Sequence, residues 1–73
     1  MQAKLNAGKL KALRMERRLT QEMLAEQTDT TDRYIRALEQ GCKDNPSASL
    51  LYRMSRVLEV PMEELMTVTL DAR

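Results

Sequence analysis

The sequence predicts an all-α fold in one small domain, and three observations predict it. Seventy-three residues suffice for a single domain. With no Phe, no Trp and two Tyr, the core must come from Leu, Val, Ile, Ala and six Met. That palette suits packed helices better than a sheet, which favours β-branched and aromatic side chains. Apolar residues also recur at three- and four-residue spacing between breaks marked by capping residues, Gly or Pro.

The first helix is expected over about Leu5 to Arg17, where Leu10, Leu13 and Arg17 fall at i, i+3 and i+7 with Arg14 on the same side. Thr20 is a good N-cap for a second helix over residues 21–28, with Glu22 at the positive end of its dipole and Leu24 and Ala25 as its inward pair. Met23 stands where a capping-box Glu would, so that box is absent. A polar turn, Asp29-Thr30-Thr31, follows, and Thr31 can cap a third helix over residues 32–40. Ile35 and Leu38 form its apolar stripe, and Gly41 suits the left-handed residue that ends many helices.

Residues 42–46 read as a loop. Ser47 caps a fourth helix in which Leu50, Leu51, Met54, Val57 and Leu58 repeat at helical spacing. Pro61 opens a short fifth helix, followed by Glu63, Glu64 and an inward Leu65. The alternation Thr67-Val68-Thr69-Leu70 is a brief strand signal. Five helices are expected in a domain spanning residues 1–66. The tail, 67–73, reads either as disordered or as a short strand pairing with a second copy of the chain.

Charge is divided unevenly. Residues 1–18 hold Lys4, Lys9, Lys11, Arg14, Arg17 and Arg18 against Glu16 alone, net +5, and the remainder is net −4, although the whole chain is only +1. A basic front fits either a polyanionic partner or a solvated helix face. The lone Cys42 can form no internal disulfide, which fits a reducing compartment. The first residues lack a signal-peptide pattern, and no apolar run has membrane-spanning length, so the chain is expected in the cytoplasm. There is no His, no nucleophile with a base partner, no phosphate-binding glycine loop and no metal-ligand cluster. Neither an enzyme nor a metal, cofactor or small-molecule substrate is expected, and the Met residues read as core fillers.

Helices two and three carry the informative pattern. Two short helices joined by three residues cannot lie antiparallel; they cross at a large angle and present the second one outward, as in a helix-turn-helix. Over Leu10 to Met66 the chain resembles the Cro/C1-type helix-turn-helix domain of phage repressors, the XRE family. The resemblance is carried by Leu19-Thr20-Gln21-Glu22, Leu24-Ala25-Glu26, Ile35, Leu38-Glu39-Gln40-Gly41, Asn45-Pro46-Ser47, Leu58-Glu59-Val60-Pro61 and Glu63-Glu64-Leu65. The chain departs from the family pattern at Asp29 and Glu59, both of which stand in usual glycine positions.

The resemblance implies a compact, five-helix, lambda-repressor-like domain that binds double-stranded DNA as a transcriptional regulator, with helix three in the major groove. It casts Asp32, Arg33, Tyr34, Arg36 and Ala37 as the residues meeting base edges, and Gln21 and Thr31 as phosphate contacts. It implies a structural pair between Arg14 and Glu39. Arg17, Arg18 and Lys43 are further candidates for phosphate contact, each alternatively a solvated cation.

Arg33 could fork onto guanine O6 and N7, or pair with Asp29 or Asp32. Asp32 could accept from a cytosine amino group, or simply stabilise the helix start. Tyr34 could reach a phosphate or shield the core. A homodimer on two half-sites fits the reading. Near-neutral charge and the acids on helix three leave a second one open, in which the same fold binds another regulator protein.

Overall fold

The computed structural model describes residues 2–69. The element order is β1 (Gln2–Leu5), α1 (Ala7–Glu16), α2 (Gln21–Gln27), α3 (Asp32–Glu39), α4 (Ala48–Leu58), a 3-10 turn (Met62–Leu65) and β2 (Met66–Thr69). Eleven apolar side chains form one core: Leu5, Leu10, Leu24, Ala25, Ile35, Leu38, Leu50, Leu51, Met54, Leu58 and Leu65. The expected stripes therefore face inward, except that Arg17, placed on the first helix's stripe, is exposed. None of these helices is long and apolar enough to cross a membrane.

All four helices start in the same way. Asn6, Thr20, Thr31 and Ser47 have extended backbones, and each side-chain oxygen accepts from the backbone N–H three residues on, at Lys9, Met23, Tyr34 and Leu50. Such a bond satisfies one of the donors that a helix start leaves orphaned.

The helices also end in the same way. Arg18, Asp29, Gly41 and Glu59 take left-handed backbones, with φ of 59°, 59°, 80° and 57°. Around each, the following N–H bonds back five residues: Leu19 to Arg14, Thr30 to Ala25, Cys42 to Ala37 and Val60 to Ser55, at 2.9–3.1 Å. This closure suits glycine because a Cβ crowds the carbonyl there. Only one of the four positions has it.

Three expectations are corrected. The fifth helix is a single 3-10 turn of four residues, because Met66 turns to extended backbone (φ −117°, ψ 147°) before an α-helical turn can propagate. The first helix begins at Ala7, not Leu5, because Asn6 caps it. Leu5 instead ends a strand in which Gln2, Ala3, Lys4 and Leu5 pair antiparallel with Thr69, Val68, Thr67 and Met66. Residues 66–69 thus find their strand partner inside the chain; Leu70 and the rest of the expected tail lie outside the described residues. The new strand is well anchored: Leu5 N–H donates to Asp44 O at 2.9 Å, and Asn6 N–H to Leu65 O at 2.8 Å. Not every Met fills the core either, since Met15 and Met23 are exposed.

Glu59 makes a direct test of the helix-end account. Glu59→Gly should raise stability by about 1 kcal/mol by removing left-handed strain, a gain in Tm of roughly 4–8 °C for a domain of this size. The lost ion pair to Arg17 is exposed on both sides and should offset little of it. An unchanged or lower Tm in a thermal melt would refute the account.

Candidate nucleic-acid interface

The second helix of the tight pair is held from beneath. Arg14 Nε donates to Glu39 Oε2 at 2.6 Å and its Nη2 to Oε1 at 3.0 Å, a two-pronged pair. Its third arm, Nη1, donates to Leu19 O at 2.7 Å, and the Gln21 amide donates to Glu39 Oε1 at 3.1 Å. The Glu39 side chain is 3% exposed and that of Arg14 11%. One cluster therefore joins the end of α1, the start of α2 and the end of α3. Arg and carboxylate match in fork geometry, which makes such pairs the strong class of charged hydrogen bond.

The other side of α3 is open. With 3.6 residues per turn, Arg33 stands opposite the buried stripe of Ile35 and Leu38, flanked by Arg36 and Ala37. Asp32 lies beyond Arg36 and Tyr34 beyond Ala37. Tyr34 is half-buried and packs on the core, so much of its ring is shielding. Arg36 Nη2 lies 3.6 Å from Asp32 Oδ2, both half-exposed. Among the described residues Arg33 is exposed and makes no ion pair, with Asp29 or with Asp32.

The remaining candidates lie at helix ends and in the loops beside them. Thr31 is exposed, and its oxygen is engaged with Tyr34 N–H at 3.1 Å. Gln21 sits at the first position of α2, partly buried, with its amide directed to Glu39. Lys43 is exposed and fixed near the end of α3 through its N–H to Ala37 O at 3.2 Å. Arg18 is exposed at the left-handed end of α1. Arg17 Nη1 pairs with Glu59 Oε2 at 3.2 Å. Lys9 Nζ likewise pairs with Glu64 Oε1 at 3.3 Å. With Arg14 held by Glu39, three cations of the basic front are thus matched by acids of the chain's own back half.

Two contributors lie outside the site residues that the sequence singles out. Arg53 Nε donates to Thr28 O at 2.7 Å and its Nη1 to Ser49 Oγ, so α4 caps the end of α2 across 25 positions of sequence. Gln40, exposed, lies seven residues beyond Arg33 and therefore on the same outward line. Its helical phase is the clue that would have found it. Among the described residues, no three His, Cys, Asp or Glu are grouped to hold a metal ion.

Comparisons with known proteins follow the same outline. A helix-turn-helix family model matches residues 10–65. No curated protein sequence matches the chain. Among solved structures it is similar to SinR, the master regulator for biofilm formation, in complex with DNA: TM-score 0.77 and 27% identity, over 81% of this chain and 97% of that one. It is similar to the restriction-modification controller protein C.AhdI from Aeromonas hydrophila, with TM-score 0.73 and 26% identity over 80% and 86%. For the clp gene regulator ClgR from Corynebacterium glutamicum the figures are 0.73 and 26%, over 80% of this chain and 61% of that one.

The buried cluster yields a sharp expectation. Glu39→Ala leaves the Arg14 charge buried without its partner and should cost about 3–5 kcal/mol, most of the stability of a domain this small. Replacing both residues together, as Arg14→Met with Glu39→Met, should recover most of that loss. Urea denaturation of the single and double variants checks it; a double variant no more stable than the single one would show that the charges hold the fold directly.

Proposed function

We propose, from the premise that this chain belongs to the helix-turn-helix family of Cro/C1 type, that it is a sequence-specific regulator of transcription that binds duplex DNA by placing α3 in the major groove. The observation that carries the reading is the state of the charges on α3. Its two carboxylates are occupied, Glu39 by Arg14 and Gln21 and Asp32 by Arg36, while Arg33 stands outward and unpaired among the described residues. A rigid helix with one uncommitted guanidinium at its leading end is suited to reading guanine through O6 and N7.

Around that anchor, phosphate contacts fall to donors. The Gln21 amide can share itself between Glu39 and a phosphate, the Thr31 hydroxyl hydrogen can turn outward, and Arg18 and Lys43 flank the helix as cations. Arg17 is a weaker choice because Glu59 holds it. The helix spans eight residues, about 12 Å, which covers only three or four base pairs. Useful specificity then calls for two copies on half-sites about 34–36 Å apart. The reading is one of binding and not of catalysis, and a duplex-DNA partner fits the cytoplasmic expectation.

Selection of bound sequences from a random duplex pool tests the proposal, followed by titration of the best site at two salt concentrations. Arg33→Ala should weaken binding to that site by about 1–3 kcal/mol and relax the preference at one base pair. Lys43→Ala should weaken all sequences alike and reduce the salt slope by about one. A pool that enriches no duplex at low salt would overturn the reading and favour a protein partner for the same surface.

A further inference from the structure

Asp32 sits where a carboxylate should be unwelcome. It is the first residue of the helix taken to lead into the groove, and a DNA duplex carries about one phosphate charge per 1.7 Å of axis. Three observations change its meaning. Thr31, not Asp32, supplies the side-chain cap to α3, so the carboxylate is not consumed in starting the helix. Arg36, one turn on, holds Oδ2 at 3.6 Å and makes the two side chains a neutral unit. Only one carboxylate oxygen is engaged in this way, while a carboxylate offers about four acceptor sites on its two oxygens. Arg33, next to it, competes for none of them.

We propose that Asp32 is a second base-reading residue, accepting the N4 amino group of a cytosine, and that Arg36 is its positioning residue and not a reader of base or phosphate. The inference rests on the DNA-binding reading above. Adjacent side chains at the head of α3 then carry opposite codes: Arg33 offers two donors to the guanine acceptors O6 and N7, and Asp32 offers an acceptor to the cytosine donor. The recognised half-site contains a cytosine beside that guanine. Arg36 offsets the phosphate repulsion Asp32 would otherwise meet, and its contact with Oδ2 leaves Oδ1 without an ion-pair partner among the described residues. As water leaves the interface, attraction within the pair strengthens, because screening falls with the local dielectric.

Sequence selection with the full chain and four variants tests this, with a melting curve for each to confirm folding. The wild-type pool should hold a guanine and a neighbouring cytosine in each half-site. Arg33→Ala should lose the guanine alone. Asp32→Asn should exchange the cytosine for adenine, since an amide suits adenine N6 and N7, and discrimination at that position should change by roughly 5- to 100-fold. Arg36→Ala should flatten the cytosine preference as Asp32→Ala does, while the guanine preference stays.

Two results would overturn the proposal. If Asp32→Asn selects the wild-type sequence, Asp32 serves only the helix start. If Arg36→Ala weakens every duplex equally and lowers the salt slope, Arg36 is a phosphate contact. Failure of the DNA-binding reading itself looks different: the wild-type chain would then enrich no sequence at all.

Discussion

The Arg14–Glu39 pair is the buried charged contact around which the helix-turn-helix is tied together. Three helix ends meet there: the end of α1, the start of α2 and the end of α3. Placing two charges in a nearly closed site is expensive unless their hydrogen-bonding groups are matched. They are matched here: both carboxylate oxygens accept from Arg14, the third guanidinium arm takes the Leu19 carbonyl, and Gln21 adds a donor to Oε1. Among the described residues no buried side-chain nitrogen or oxygen lacks a partner. The cluster is therefore directional where the surrounding Leu contacts are not, and it ties the end of α3 to α1 and α2. The apolar stripe of Ile35 and Leu38 attaches that helix; the ion pair pins its end.

Most of this is legible in the sequence, for identifiable reasons. N-caps are chemical, so Thr20, Thr31 and Ser47 announce themselves by residue type. Helix stripes are periodic, so spacing alone places Leu24 with Ala25 and Ile35 with Leu38. Helix ends are conformational, and there the signal weakens. Gly41 advertises a left-handed residue, whereas Arg18 takes the same backbone with no compositional clue. The strand β1 is not legible because four residues, Gln-Ala-Lys-Leu, carry too little alternation. Its partner lies more than sixty positions away in the chain. The fifth helix fails for the opposite reason: Pro61 and two acids give a good start signal, but nothing after Leu65 sustains a helix.

At the candidate interface, residue types are legible and their allegiances are not. Which carboxylate holds which arginine is a matter of rotamers and helical phase, so the sequence allows Arg33 to pair with Asp29 or Asp32. The structure gives Asp32 to Arg36 instead. The uneven charge along the chain is likewise resolved only in three dimensions. Lys9 meets Glu64 and Arg17 meets Glu59, so part of the front's excess is neutralised by the chain's own back half. These exposed pairs contribute little stability. Their effect is on the outer field, which is more even than the linear sequence implies.

A regulator with a net charge of only +1 must still meet a polyanion. A chain can do so by carrying excess positive charge everywhere, which favours any duplex over none, or by neutralising its acids locally and leaving a few cations uncommitted. On α3 this protein follows the second course. Glu39 is buried with Arg14, Asp32 is matched by Arg36 and Glu59 by Arg17, so these acids are cancelled within the fold. What remains outward on α3 is Arg33, exposed and in no ion pair among the described residues. Sequence-independent attraction scales with the number of phosphates neutralised, and a single uncommitted cation on α3 adds little to it. Discrimination between sequences scales instead with the fit at base edges. In the proposed DNA-binding reading, the pairing of α3's own acids thus weights that helix's contribution toward sequence over charge.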